Sequence, residues 1–202
     1  MHGLSLLVLL LAALYSAALP YRQRAKLRED VSATASMIAL SGIFIALSSA
    51  TEFYLWLTGQ VPETLGTMLF NLQHYLAIPL WCSAIACLCW PKFFSKGSWG
   101  RWSLALLAAF ELCRRAQVSD HFALTLAALC CAIVITAMLV VRQQITIFSI
   151  LGSLLLAAAL LLFATNVDLA GLANALYYNI ALAFALVFIS FQASLKLPLE
   201  EK

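Results

Sequence analysis

Charged residues are scarce in this chain. Only 10% of its 202 residues are Asp, Glu, Lys or Arg, against about 25% in an average soluble domain. Hydrophobic residues make up 64%, and the mean hydropathy is +0.96. This composition excludes a soluble globular protein, a disordered chain and a collagen-like repeat. The sequence therefore predicts an integral membrane protein.

The short motifs of common enzyme classes are also missing. There is no Gly-x-Ser-x-Gly, no Gly-x-x-x-x-Gly-Lys, no Gly-x-Gly-x-x-Gly and no His-Glu-x-x-His. The six cysteines form no Cys-x-x-Cys pair, so the sequence indicates no disulfide framework. No internal repeat is visible, and the longest connections cannot hold a second core. We expect residues 1–202 to form a single integral membrane helical domain. The sequence does not identify a cofactor.

Seven apolar segments approach the 20 or so residues that a helix needs to cross about 30 Å of hydrocarbon. We therefore expect an all-α, polytopic membrane bundle of seven transmembrane helices. The predicted spans are residues 3–19, 32–57, 65–90, 102–116, 121–141, 145–165 and 171–195. The fourth span is the weakest because it is short and ends in charged residues. Six spans are the alternative if it does not cross.

The basic residues set the orientation. The net charge is +3, but the twelve Lys and Arg lie between the apolar segments, which indicates membrane topology rather than nucleic-acid binding. With seven spans, all of them except Arg114 and Arg115 fall on one side. Lys and Arg accumulate on the cytoplasmic side, so we expect the N-terminus outside and the C-terminus in the cytoplasm. The short loops suit a bacterial inner membrane. A cleaved signal peptide is the alternative for the first segment, but its basic residues follow the apolar core instead of preceding it.

Polar side chains are expected in the outer half of five of these helices. Ionisable groups cost about 2.5–3.5 kcal/mol each at the centre of a membrane helix, so each needs a partner, a wet cavity or a function. The inner halves offer mainly Ser, Thr, Cys and apolar residues. The predicted ligand-binding residues are Glu52, Asn71, His74, Glu111, Arg114, Arg115, His121, Asn174, Tyr178 and Asn179.

Spacing within the helices supports convergence of these groups. Asn71 and His74 are three residues apart and are expected on one helix face. Pro79 removes an N–H and frees a carbonyl one turn back, close to His74. Asn174 begins a polar stripe on the last helix, whereas Asn179 falls off that stripe and is expected to face another neighbour.

Two groups have competing interpretations. Glu111 with Arg114 and Arg115 forms either an anion site, because guanidinium groups hold carboxylates and phosphates bidentately, or an interfacial salt bridge with the arginines reaching to lipid headgroups. His74 is either a metal ligand or proton relay, or a neutral histidine hydrogen-bonded to Asn71 or to another helix.

The favoured function is a polar pocket in the extracytoplasmic half of the bundle that binds or transports a small anionic or amphiphilic ligand. Arg114 or Arg115 would meet its charge. One alternative is a metal-dependent intramembrane hydrolase or lipid-modifying enzyme, with Glu52 or Glu111 as base and metal on His74 and His121. No metal ligand is assigned, because the spacing demands none and neighbouring arginines repel cations. The other alternative is a non-catalytic subunit with a membrane protein partner. Membrane lipids are expected partners in every case.

Overall fold

The computed structural model of the chain describes residues 2–23, 29–60, 62–89, 94–140, 147–165 and 174–195. The regular structure in these ranges is helical throughout, which confirms the all-α prediction. The helices are α1 (His2–Gln23), α2 (Glu29–Thr58), α3 (Glu63–Leu72), α4 (Ile78–Cys89), α5 (Lys96–Arg115), α6 (Ser119–Val140), α7 (Ile147–Thr165) and α8 (Asn174–Leu195).

A π-helical turn, Gln73–Ala77, joins α3 to α4 without a break. The residues on either side of it keep right-handed helical angles, so the described residues form seven helical rods, of which the α3–α4 rod is one. The N–H of Ile78 donates to the Gln73 carbonyl, five residues back. Pro79 follows immediately and has no N–H to donate. The chain thus accommodates the proline by widening one turn.

Six of the rods form a closed ring. Going around it, α1 contacts α2, α2 contacts the α3–α4 rod, and α6, α7 and α8 follow before α8 returns to α1. The core includes the fully buried Trp81, whose indole N–H donates to Ser16 Oγ over 3.2 Å. Ser16 lies 2.7 Å from Ser190 Oγ, so a single hydrogen-bonded group ties α4, α1 and α8 together.

The seventh rod, α5, lies outside the ring and packs against the π-helical turn, α6 and α2. Leu106 and Trp99 are buried, whereas Leu104 and Leu112 on the outward faces are largely exposed. Its C-terminus closes in a Schellman motif: the N–H of Val118 donates to Cys113 O, and Gln117 adopts a φ of 59°. Three residues, 116–118, then lead directly into α6.

Pairs of contacting residues give the directions of the rods. Ser5 with Asn179 and Ser16 with Ser190 are both 174 residues apart, so α1 and α8 run parallel. Tyr75 stacks on Phe110, and the Trp102 indole donates to Ser83, which makes α5 antiparallel to the α3–α4 rod. If seven rods alternate in direction, the first and the last run parallel. The parallel α1 and α8 agree with this arrangement.

Within the described ranges, three helices are long and apolar enough to cross a membrane: His2–Arg22, Val31–Thr58 and Ala175–Ala193. His121–Ala137 and Ile150–Phe163 are shorter apolar helices. These findings support a membrane-associated helical bundle. Crossing by all seven rods, and the direction of the bundle in the bilayer, remain predictions.

Labelling of single cysteines tests whether α5 crosses. We expect cysteines placed at Gln60 and Gln117, in a variant lacking the native cysteines, to react with an impermeant maleimide from the same side. The antiparallel packing of α5 on the α3–α4 rod puts both turns at one end of the bundle. A cysteine at Ser98 is the control and should react only from the opposite side. Reaction of Gln60→Cys and Gln117→Cys from opposite sides would show that α5 does not cross and that the chain has six spans.

Close approach of α1 and α2 gives a second prediction. A Cβ added to Gly42 would lie 2.8 Å from the Ala13 carbonyl oxygen and 2.9 Å from Ala17 Cβ. Gly42→Ala must therefore push the helices apart, and we expect it to lower the melting temperature in detergent at a cost of about 1–3 kcal/mol. Gly100→Ala is the matched control, because no atom lies within 4 Å of its added Cβ. The better helix propensity of alanine should leave that variant at least as stable as the parent. Equal stability of the two variants would contradict the close packing.

Candidate functional site

The ends of the rods that carry most of the candidate residues lie together, and we call this end of the bundle the polar end. Gly3 packs against Trp56, His74 stacks on Phe163, and Phe163 contacts Tyr178. The start of α1, the end of α2, the end of α7 and the start of α8 therefore meet there with the α3–α4 rod. Within the polar end, the candidates divide between an open groove and a buried cluster.

The groove lies between α3 and α5 and has a volume of about 630 Å³, within the roughly 300–1,000 Å³ typical of ligand sites. One wall comes from α3 and the π-helical turn, and the other from α5. The lining residues are Glu63, Thr64, Thr67, Met68, Asn71, Leu72, Tyr75, Leu107, Phe110, Glu111 and Arg114. Asn71, Glu111 and Arg114 are thus the predicted site residues that the structure brings together in one place.

The character of the groove changes along its length. On the α3 side the lining begins with Glu63 and ends with Tyr75, which at 1.5 Å per residue covers about 18 Å. In the antiparallel register set by Tyr75 against Phe110 and by Ser83 against Trp102, Arg114 lies at the level of Asn71. Glu63 lies about 12 Å farther out, beyond the end of α5. Phe110 lies opposite the Tyr75 end. The groove therefore has a charged mouth and an apolar floor.

At the mouth, the Glu111 carboxylate accepts hydrogen bonds from both neighbouring arginines. Arg114 donates through Nε and Nη2 over 2.9 Å to the two carboxylate oxygens, and Arg115 donates through Nε over 2.8 Å. We call these three residues the Glu111 triad. It lies in the last turn of α5, outside the three long apolar helices, and the arginines are mostly exposed. Two guanidinium groups that donate to one carboxylate favour its ionised form. The triad therefore stays ionised at physiological pH and carries a net charge of +1.

Stacked aromatic rings form the floor. The Tyr75 and Phe110 ring centroids are 4.3 Å apart, and the ring planes are inclined by 25°. The Phe122 ring of α6 also stacks on Tyr75, with the two centroids 5.9 Å apart. Aromatic pairs at these separations add stability beyond their buried area. The floor is consequently a rigid apolar surface supported by three rods.

The buried cluster holds three other candidates, His74, Tyr178 and Glu52, on the ring side of the α3–α4 rod. The His74 ring stacks on Phe163 at 4.0 Å, and its Nδ1–H donates to the Phe70 carbonyl over 2.8 Å. Tyr178 accepts a hydrogen bond from Gln73 Nε2 over 3.2 Å. Glu52 is half-buried near the end of α2, a helix that also packs against the π-helical turn. Except for the half-buried Glu52, these side chains are buried.

Space for a ligand is missing from the buried cluster in the part of the chain that the structure describes. The void beside His74 measures about 10 Å³, close to the lower limit for one water molecule. Its remaining lining is almost wholly apolar and includes Pro79, Leu126 and Phe163. His74 is therefore a packed, hydrogen-bonded side chain in this structure. Asn71 and His74, predicted to share one face, face the groove and the ring respectively.

The remaining candidates lie apart from the groove lining. The Asn179 side chain is buried against α1 and donates to Ser5 Oγ over 3.4 Å, which agrees with its expected separation from the Asn174 stripe. His121 is exposed at the start of α6, and Arg115 reaches Glu111 without lining the groove. The Asn174 side chain lies outside the described residues.

Sequence reasoning missed Glu63, Thr64 and Thr67, which complete the groove mouth. Glu63 and Thr64 fell outside the predicted span 65–90, and the structure places them in the first turn of α3. Their spacing from Asn71 was an available signal, because 64, 67, 68 and 71 recur at helical intervals on one face. Gln73 was also missed, since its role depends on a partner in a distant helix.

Metal ligands do not assemble anywhere among the described residues: no group of three His, Cys, Asp or Glu side chains comes together there. His74 is buried, whereas His121 is exposed. The metal-dependent enzyme considered above therefore has no ligand set in the described part of the chain.

Comparison of the chain with protein-family models, with curated proteins and with solved structures gave no significant match. The assignment of function consequently depends on the geometry of the groove.

The hydrogen bond between Gln73 and Tyr178 gives a test of the buried cluster. We expect Tyr178→Phe to lower stability by about 1 kcal/mol, because Gln73 Nε2 loses its acceptor in a buried site. In the double variant Gln73→Met, Tyr178→Phe, both polar groups are absent and the cost should fall below the sum of the single variants. Thermal unfolding in detergent measures this double-mutant cycle. Strictly additive costs would show that the two side chains do not interact.

Proposed function

We propose that this protein is a multi-pass membrane protein that binds an amphiphilic ligand in the groove between α3 and α5. The observation that carries the proposal is the change along the groove from a charged mouth to an aromatic floor. A ligand with a polar head and an apolar tail matches both ends at once. A fully polar solute would leave the floor uncovered, and a fully apolar one would desolvate the mouth without compensation.

Arg114 is the residue proposed to meet an anionic part of the head. A guanidinium has five N–H donors, and Arg114 uses two of them on Glu111. The others remain for a phosphate or carboxylate. The bidentate pairing with Glu111 also orients the guanidinium plane, so less side-chain entropy is lost when a ligand binds.

The floor would bind the tail. Tyr75 and Phe110 supply a flat surface, and Met68, Leu72 and Leu107 form the sides. Met68 and Leu107 are both exposed along the groove. An unbranched methionine adapts to tails of different shape. The exposed sides also leave a lateral path by which a tail could enter from a lipid layer.

The membrane setting is part of the proposal. Long apolar helices support membrane insertion, and the distribution of Lys and Arg favours a bacterial inner membrane with the N-terminus outside. In that orientation the groove mouth opens at the extracytoplasmic surface. Binding is proposed here as the basic activity, and transport would require that the same ligand also be released on the other side.

Two neighbouring arginines offer a matched test of this proposal. We expect Arg114→Gln to weaken binding of lysophosphatidylglycerol about fivefold, the upper end for an exposed charge pair. Arg115→Gln should have little effect, although it removes the same charge from the same turn and the same partner, Glu111. Binding is measured by native mass spectrometry of the detergent-released protein at low ionic strength.

Equal losses in both variants would mean that net charge, and not the groove, determines binding. An unchanged affinity in Arg114→Gln would contradict the proposed role of the groove mouth. Melting temperatures of both variants, measured in the same detergent, check that neither loss reflects unfolding.

A further inference from the structure

Glu63 and the Glu111 triad carry opposite charges along the groove without pairing, and Glu63 lies about 12 Å farther from the floor than Arg114. Glu63 lies in the first turn of α3, and the Glu111 triad, with its net charge of +1, lies in the last turn of α5. Arg114 and Arg115 both turn to Glu111, three and four residues back. Among the described residues, no ion pair reaches Glu63. The α3 wall therefore carries a negative charge at the opening, and the α5 wall carries a positive charge nearer the floor.

We infer that the groove takes a zwitterionic amphiphile, with an anionic phosphate toward Arg114 and a primary ammonium toward Glu63. This inference rests on the proposed function and assigns its ligand class. A head with only negative charge would bring that charge close to Glu63, and a head with only positive charge would face the triad. A head that carries both charges complements both walls.

The neutral part of the groove fits the rest of such a molecule. Asn71 lies at the level of Arg114, and Thr67 lies between Arg114 and Glu63, so both offer side-chain hydrogen-bonding groups beside the head. Tyr75 and Phe110 follow at the floor. From the opening to the floor, the groove thus presents a negative charge, a positive charge and an apolar surface. This order matches a phospholipid or lysophospholipid whose ammonium lies farther from the tail than its phosphate, entering along the groove from its open side.

Competition between two lysolipids tests this inference. The probes are lysophosphatidylethanolamine and lysophosphatidylglycerol with the same acyl chain, so that they share the phosphate and differ in the ammonium. Mixed at equal concentration with the protein in detergent, they are compared by native mass spectrometry. We expect the ethanolamine lipid to be preferred about two- to fivefold at low salt, with the preference shrinking as salt is raised.

Substitutions of Glu63 assign that preference to one side chain. Glu63→Gln should bring the ratio to about one while lysophosphatidylglycerol still binds, and Glu63→Lys should reverse the preference. Glu63→Asp keeps the charge and should keep the direction of the preference. Glu63 is exposed in the first turn of α3, so these changes are expected to leave the fold intact, which melting temperatures check.

A probe without an acyl chain tests whether the ligand is a lipid or a soluble molecule with the same head. Glycerophosphoethanolamine has the same head and no tail, and at equal concentration it should fail to displace the lysolipid. Displacement by this probe would show that a soluble zwitterion is the ligand and would overturn the assignment to a lipid.

Failure of this inference can be told apart from failure of the proposed function. Equal binding of both lysolipids, with both still weakened by Arg114→Gln, would overturn the zwitterion assignment and leave amphiphile binding standing. A preference that survives in Glu63→Gln would likewise overturn the assignment of Glu63. Loss of binding for both probes in the parent protein would overturn the two proposals together.

Discussion

The antiparallel seating of α5 on the α3–α4 rod is the contact on which the candidate site depends. α5 lies outside the ring of six rods, so few neighbours hold it. Tyr75 stacked on Phe110 fixes it toward the polar end, and the Trp102 indole hydrogen-bonded to Ser83 fixes it toward the other end. Between and beyond these two contacts, the helices separate enough to leave the groove. Any change that tilts α5 would alter the groove before it altered the ring.

The helical fold could largely be predicted from the sequence, because long apolar segments separated by short, charged connections are typical of apolar helices. The gathering of polar residues at one end was also predictable, since it requires only that rods alternate in direction. The division of those residues into a groove and a buried cluster was not. Asn71 and His74, three residues apart, lie only about 60° apart around a helix. Whether 60° separates a groove from a core depends on where neighbouring helices lie, and one sequence does not contain that information.

Two polar environments at the same end of the bundle have different physical roles. In the buried cluster, His74 donates a hydrogen bond to the Phe70 carbonyl, and Tyr178 accepts one from Gln73. These hydrogen bonds stabilise helix packing. At the groove mouth, donors of Arg114 remain and Glu63 has no ion-pair partner among the described residues. Side chains with hydrogen-bonding or ion-pairing groups still unused, beside a groove of about 630 Å³, are the ones available to bind a ligand. This difference, and not the number of polar residues, separates the site from the core.

The three-residue turn after α5 has a consequence for depth in the bilayer. Fully extended, the chain from Arg115 to Ser119 can reach about 14 Å at most, and the Schellman motif shortens that reach. Two arginines that rest at a headgroup layer would therefore also fix how deep the first turn of α6 can sink. In the proposed membrane setting, the hairpin of α5 and α6 would therefore set the level of the groove mouth relative to the lipid headgroups.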